Sequence, residues 1–151
     1  SRQRAAHQLN KGLSGLPGLI TPKVSINCTH AYYMYAMQID PKVIKNSRKE
    51  IFNCLVNEGV PALQEGYQNI HLLPLFQHKI AYGSKHFPWV YENKLNDVSY
   101  KKGICPVSEN LHDNLMLGLG LCMYEFNKNE TSLVIKAFKK VWLNNVKFKK
   151  L

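Results

Sequence analysis

The sequence lacks a long hydrophobic run and a recognisable leader. No apolar stretch in its 151 residues approaches the roughly 18 residues that a membrane-spanning helix needs. The chain does not open with a charged segment followed by an apolar one, which is the pattern of a secretory signal. It begins at Ser1 without an initiating methionine, which indicates a processed chain or a piece of a longer one. We therefore expect a cytoplasmic protein with no membrane partner.

The sequence also has no paired-cysteine motif. Cys28, Cys54, Cys105 and Cys122 form no C-x-x-C pair, and their spacing matches no zinc motif. Most of them stand in apolar surroundings that are typical of buried free thiols. Disulfides are chemically allowed, but without a leader we expect reduced thiols in the cytosol.

Local catalytic and nucleotide-binding motifs are missing as well. The sequence contains no G-x-G-x-x-G, P-loop, G-x-S-x-G or H-E-x-x-H pattern. Among its scattered histidines, His71 and His78 would share a metal only with a carboxylate brought in by folding, so we expect no metal site. A Ser-His-Asp or Cys-His arrangement stays open, but no local context favours a nucleophile. From these residues alone, ordinary loop histidines are the favoured interpretation.

Acidic residues are few. Lys and Arg number 20 against 10 Asp and Glu, which gives a net charge of +10. This balance is compatible with a non-catalytic module that holds an anionic partner, and such a module predicts Lys and Arg clustered on one face. The basic residues are nevertheless dispersed in the sequence. Their only dense cluster, Lys147, Lys149 and Lys150, is explained as well by a frayed, solvated terminus.

A nucleic-acid partner is not expected. Binding of single strands needs aromatic side chains interleaved with basic ones. The aromatic run of the chain, Tyr32, Tyr33 and Tyr35, contains no Lys or Arg.

The hydrophobic and turn patterns predict one globular α/β domain. A 45% hydrophobic share is typical of a folded chain with its own core. Ser47 and Glu50 have the spacing of a helix capping box, and Gly59 supplies a left-handed exit. The last helix is predicted to begin at Asn127 or Asn129. Helices are predicted at 4–16, 47–58, 108–116 and from 127 or 129 onward, strands at 31–39, 60–63 and 119–125, and irregular chain at 64–104. This alternation favours a two-layer sandwich, with strand 31–39 central and covered on at least part of each side.

Several stretches resemble a known enzyme family. "THAYYMYAMQID", followed by "SRKEIFNCLVNEGVPALQEGYQNIHLLPLF", resembles the C-terminal part of the DegT/DnrJ/StrS sugar aminotransferases. "CPVSENLHD" is similar to a "P-x-A-E" helix start of that family, and "FKKVW" to the close of its last helix. The resemblance spans nearly all of residues 1–145. It implies an α+β small domain over residues 1–146, with a mostly antiparallel sheet of about three strands. Within this domain, residues 1–16 would be the remainder of an interdomain helix. Residues 147–151 would follow it as a basic tail.

The resemblance also implies substrate-binding residues. His30 matches the histidine that opens the family's strand, and Tyr67 and His71 match its substrate loop, whose first His and Pro are replaced here by Gly66 and Asn69. For His30, a hydrogen bond to nearby backbone is an equally good explanation. Residues 82–104 lie where family members vary, so they are expected to reflect a particular substrate.

The family's cofactor chemistry is expected outside this chain. Family members are pyridoxal-phosphate enzymes, and their Schiff-base lysine and most cofactor contacts belong to a large domain that would lie upstream of residue 1. The resemblance implies a homodimeric parent that moves an amino group from an amino acid to a keto-sugar, usually nucleotide-linked, in polysaccharide or glycan biosynthesis. We expect no catalytic residue in this chain and no pyridoxal phosphate bound to it alone.

Overall fold

The computed structural model describes residues 1–91, 94–95 and 98–150, without the side chain of Leu95. These residues form two compact units. The first comprises Ser1–Tyr67 and Asp113–Leu151, and the second is Gln68–His112. Of the predicted variable segment 82–104, residues 92–93 and 96–97 lie outside the described residues, as does residue 151 of the predicted tail.

The first unit contains an open antiparallel sheet. Its strands are β1 (Leu19–Ile20), β2 (Tyr35–Ile39), β3 (Leu63–Glu65) and β6 (Met116–Leu119). They lie in the order β1-β2-β6-β3, and each adjacent pair is antiparallel. This confirms the predicted α+β sandwich and its mostly antiparallel sheet. Strand β1, which the sequence did not predict, makes the sheet one strand larger than expected.

Three helices cover one face of this sheet. They are α1 (Arg2–Leu13), α2 (Arg48–Asn57) and α5 (Lys128–Asn144), and α1 and α2 both contact α5. On β2, Tyr35, Met37 and Ile39 are buried, whereas Ala36 and Gln38 are exposed. Strand β2 is central, as predicted, but the partial cover predicted for its second side is absent at Ala36 and Gln38. The small, neutral Ala36 gave no sign in the sequence that its face would remain in solvent.

Two reciprocal capping boxes fix the helix starts. The Ser47 N–H donates to Glu50 Oε2 (2.7 Å), and the Glu50 N–H donates back to Ser47 Oγ (3.3 Å), as predicted. The helix start at Asn127 rather than Asn129 is settled in the same way. The Asn127 N–H donates to Glu130 Oε2 (2.8 Å), and Asn127 Oδ1 accepts from the Glu130 N–H (3.0 Å).

The strand predictions around residues 60 and 120 need correction. The strand predicted at 60–63 lies at Leu63–Glu65, because Ala62 has a φ of 52°, a left-handed conformation that strands do not contain. The strand predicted at 119–125 ends at Leu119, since the Met123 and Tyr124 N–H groups donate to Gly120 O and close a turn. The helix predicted at 108–116 is α4 (Pro106–Asn110) followed by one π-helical turn, Leu111–Leu115.

Two environments also differ from expectation. The Lys147 N–H donates to Asn46 Oδ1 (2.6 Å) and the Lys149 N–H to Val43 O (2.8 Å), so the tail is paired at these residues instead of frayed. All four cysteines are free. Cys28 and Cys122 are exposed, and their predicted burial is therefore wrong.

The second unit has a small aromatic centre of its own. Its elements are a 3-10 turn (Ile70–Leu72), α3 (Pro74–Gln77), the hairpin of β4 (Val90–Tyr91) and β5 (Lys94–Leu95), and α4. Trp89 is buried, contacts Phe76 edge-on and donates its Nε1–H to the Tyr100 hydroxyl (3.0 Å). The long irregular region that the sequence predicted thus folds around side chains of its own. Within the described parts of both units, no helix combines the length and hydrophobicity needed to cross a bilayer.

Candidate functional site

His71 lies in the second unit, where it is bound to a buried carboxylate. Its Nε2 is 2.9 Å from Glu109 Oε1, and Glu109 is only 6% exposed. A carboxylate only accepts, so the hydrogen of neutral His71 is on Nε2 and Nδ1 is left as the acceptor. Only 11% of the His71 side chain is exposed. The predicted loop histidine is therefore a fixed group rather than a free one.

Backbone N–H groups hold Glu109 in its charged form. The Gly103 N–H lies 2.8 and 2.9 Å from its two oxygens, and the Cys105 N–H lies 3.3 Å from Oε1. Burial by itself would raise the pKa of Glu109, but the hydrogen bonds from Gly103, His71 and Cys105 outweigh it. The pKa therefore lies below its ordinary value, and Glu109 is an anion at neutral pH.

Asn69 extends this polar cluster. It is 4% exposed, and its Oδ1 accepts from the Ser108 hydroxyl (2.9 Å). Its Nδ2 is buried without a hydrogen-bond partner among the described residues. Asn69 stands where the resembled family has a proline, and it supplies an amide donor that a proline does not have.

Tyr67 ends the first of the two segments that make up the first unit, and it is about half exposed. Its hydroxyl lies 3.5 Å from that of Tyr33, which is also exposed. The hydrogen bond with Tyr67 raises the pKa of Tyr33, so this hydroxyl stays protonated at neutral pH. The pair offers two neutral hydroxyls to a polar ligand.

His30 is exposed in the first unit and is fixed by its own neighbours. Its Nδ1 accepts from the Tyr32 N–H (2.7 Å), and its ring stacks on that of Tyr32 at 4.2 Å between centroids. The backbone bond that the sequence offered as an alternative for His30 is present. With Nδ1 occupied, the neutral ring carries its hydrogen on Nε2, which remains a donor.

The predicted residues are distributed over both units. His30 and Tyr67 belong to the first and His71 to the second, and no contact among the described residues joins His30 to Tyr67. Sequence reasoning missed Glu109, Asn69 and Tyr33. Glu109 was present in the family-like "CPVSENLHD" segment, so that motif was the signal that could have drawn attention to it. Within the described residues, no group of three or more His, Cys, Asp or Glu side chains could hold a metal.

The fold matches part of a known enzyme. An aminotransferase, TlmJ from Streptoalloteichus hindustanus, superposes with a TM-score of 0.58 at 21% identity, over 94% of this chain and 31% of TlmJ. The chain has an aminotransferase-like fold. This confirms the fold that the sequence resemblance implied.

Sequence comparisons agree with the aminotransferase-like fold. The spore coat polysaccharide biosynthesis protein SpsC of Bacillus subtilis is 29% identical over 87 residues, which are 58% of this chain and 22% of SpsC. An uncharacterized protein of Methanocaldococcus jannaschii is 27% identical over 104 residues, 67% of this chain and 27% of that protein. The chain thus spans about a quarter of the length of these relatives. No protein-family model matches it.

Proposed function

We propose that this chain is the C-terminal small domain of a pyridoxal-phosphate-dependent aminotransferase that acts on a keto-sugar. The observation that carries the proposal is the fold, which matches 94% of this chain to less than a third of an aminotransferase. The similarity to a protein named for polysaccharide biosynthesis supports a sugar as the substrate. The keto-sugar is nucleotide-linked, the amino donor is an amino acid, and the parent is a homodimer in this proposal.

The cofactor does not fit the residues of this chain by themselves. A lysine that bonds covalently to pyridoxal phosphate must lose its proton, which burial promotes. Every lysine here is exposed except Lys79, which is half-buried. Lys79 lies on a left-handed turn with its backbone N–H bonded to Phe76 O, and it adjoins no carboxylate among the described residues that could hold the pyridine ring nitrogen. We therefore assign the cofactor to the large domain of the parent.

The role of this chain is to bind and orient the substrate. Tyr67 and Tyr33 supply neutral hydroxyls, and His30 supplies an N–H donor. Sugar hydroxyls and phosphate oxygens accept such bonds. His71, fixed by Glu109, keeps Nδ1 as its acceptor for a sugar hydroxyl. Because the surrounding residues already hold these groups in place, little side-chain freedom is lost when a ligand binds.

The full-length protein tests this proposal. It should carry pyridoxal phosphate and should transfer 15N from labelled glutamate or glutamine to a nucleotide-linked keto-sugar, as detected by mass spectrometry. The 151-residue chain alone, treated with pyridoxal phosphate and borohydride, should give no stoichiometric adduct on a single lysine. A full-length protein that binds no cofactor, or a specific adduct on the isolated chain, would contradict the proposal.

Substitutions in the full-length protein test the individual residues. Tyr67→Phe should raise KM for the keto-sugar by about 2- to 12-fold, which corresponds to the 0.5–1.5 kcal/mol of one hydrogen bond. The matched control is Tyr124→Phe, since Tyr124 is also an exposed tyrosine of the first unit with a hydrogen-bonded hydroxyl. Equal effects of the two changes would remove Tyr67 from the site.

A further inference from the structure

A wide cleft of mixed polar and apolar lining lies between α1 and the connector that follows β1. Its volume is about 980 Å³, and its walls include Lys11 on the helix and Lys23 on the connector. On α1, the cleft residues His7, Asn10, Lys11 and Ser14 have the spacing of one helix face. The whole cleft belongs to the first unit.

This cleft contains no acidic side chain. Neither Asp nor Glu occurs in residues 1–39, although this segment includes Lys11 and Lys23. Both lysines are exposed, and neither forms a salt bridge with a carboxylate among the described residues. Two of the dispersed basic residues, Lys11 and Lys23, therefore line one cavity without a salt-bridge partner among the described residues. Such a cavity attracts anions.

Two further donors of the cleft have fixed orientations. His30 lines it with Nδ1 occupied by the Tyr32 N–H, which leaves Nε2–H as a donor. Asn10 Oδ1 accepts from the hydroxyl of Tyr35 (2.6 Å), a fully buried residue whose pKa is raised by burial. The Asn10 amide consequently keeps its Nδ2 hydrogens for another acceptor.

The backbone at this wall is strained. Tyr32 has a φ of 50° although it is a bulky, buried residue. A non-glycine residue in this region is strained, and such strain concentrates at ligand sites. Here the strained residue is the one that fixes the His30 ring.

We propose that this cleft binds the phosphate group of a phosphorylated small molecule. Two unpaired lysines match a dianion, and the N–H donors of His30 and Asn10 match its oxygens. The volume is larger than one phosphate needs, which leaves room for the organic part of the ligand. The proposed function also assigns His30 to the substrate, but phosphate binding is measured on the isolated chain without any amino transfer, so a failure of one proposal is distinguishable from a failure of the other.

The test is titration of the 151-residue chain with inorganic pyrophosphate, followed by 1H–15N NMR and calorimetry. Sodium acetate at the same ionic strength and glucose serve as monoanionic and neutral comparators. Pyrophosphate should shift the amides of residues 7–14 and 21–32, and its affinity should fall with added salt. Acetate should bind more weakly, and glucose should have no effect.

Variants decide whether the cleft is the site. Lys11→Gln and Lys23→Gln should each weaken pyrophosphate binding by about fivefold. This factor corresponds to about 1 kcal/mol, the attraction between two unit charges about 4 Å apart in water. Lys139→Gln, which removes the same charge from an exposed position of α5, should change it by less than about twofold. Equal losses in all three variants, or shifts confined to residues 147–150, would overturn the proposal.

Discussion

Gly12 allows α1 and α5 to approach closely, and its substitution by alanine should destabilise the fold. A Cβ added there would lie 2.6, 2.8 and 2.9 Å from three side-chain carbons of Ile135. Ile135 is β-branched, so in a helix its χ1 angle is nearly fixed and it cannot turn away. The two helices would have to separate.

The expected magnitude is the difference between two opposing effects. Alanine in place of a helical glycine by itself stabilises the folded state by about 0.5–1 kcal/mol. Overpacking of a well-packed contact costs about 1–3 kcal/mol. The net destabilisation is then about 1 kcal/mol, which lowers the Tm of a chain of this size by about 2–4 °C.

Urea unfolding of four proteins measures this effect: the wild type, Gly12→Ala, Ile135→Ala and the double variant. Ile135→Ala removes all three opposing carbons, so Gly12→Ala should be destabilising in the wild type and stabilising in the Ile135→Ala background. Gly15→Ala is the matched control, because nothing lies within 4 Å of a Cβ at Gly15. A Gly12→Ala protein as stable as the wild type would refute the close contact.

Two further predictions concern the caps and the acid response. Asn127→Ala should destabilise the first unit by about 1 kcal/mol in urea unfolding, because two N–H groups of α5 lose their acceptor. Asn144→Ala, at an exposed helical position, should show a smaller change in the same measurement. Because the pKa of Glu109 is lowered by folding, its stabilising effect is present above about pH 4.3 and lost as the pH falls through the folded value. As the pH falls from about 4.3 through the folded pKa, the hydrogen-exchange protection of the Gly103 and Cys105 amides should fall. Glu109→Gln should lower this protection already at neutral pH. Protection that stays unchanged down to a pH below the folded pKa would contradict the role of Glu109.

The features that the sequence predicted well are those set by neighbouring residues. The Ser47–Glu50 box depends on an i, i+3 spacing, so the printed sequence contains all the information that it needs. The strand predicted at 31–39, which contains β2, was likewise predicted from its own aromatic residues, Tyr32, Tyr33 and Tyr35. The resemblance to sugar aminotransferases supplied the mostly antiparallel arrangement of the strands.

The features that were missed depend on partners far away in the chain. Strand β1 has two residues, and only its pairing with Ile39 and Gln38 makes it a strand. The strand predicted beyond Leu119 had apolar residues, but Gly120 accepts two backbone bonds that close a turn there. Glu109 and His71 are 38 residues apart, and no local pattern predicts that contact.

The histidines show how the structure changes a functional argument. The sequence proposed His30 and His71 because they match family positions, and it could not say which nitrogen either would offer. Each ring uses one nitrogen internally, His30 as an acceptor and His71 as a donor. The ring nitrogens that are left for a ligand have opposite hydrogen-bonding roles. Nε2–H of His30 can donate to a phosphate oxygen, whereas Nδ1 of neutral His71 can accept from a sugar hydroxyl. His30 and His71 are therefore suited to different chemical groups, a phosphate oxygen for the first and a hydroxyl for the second.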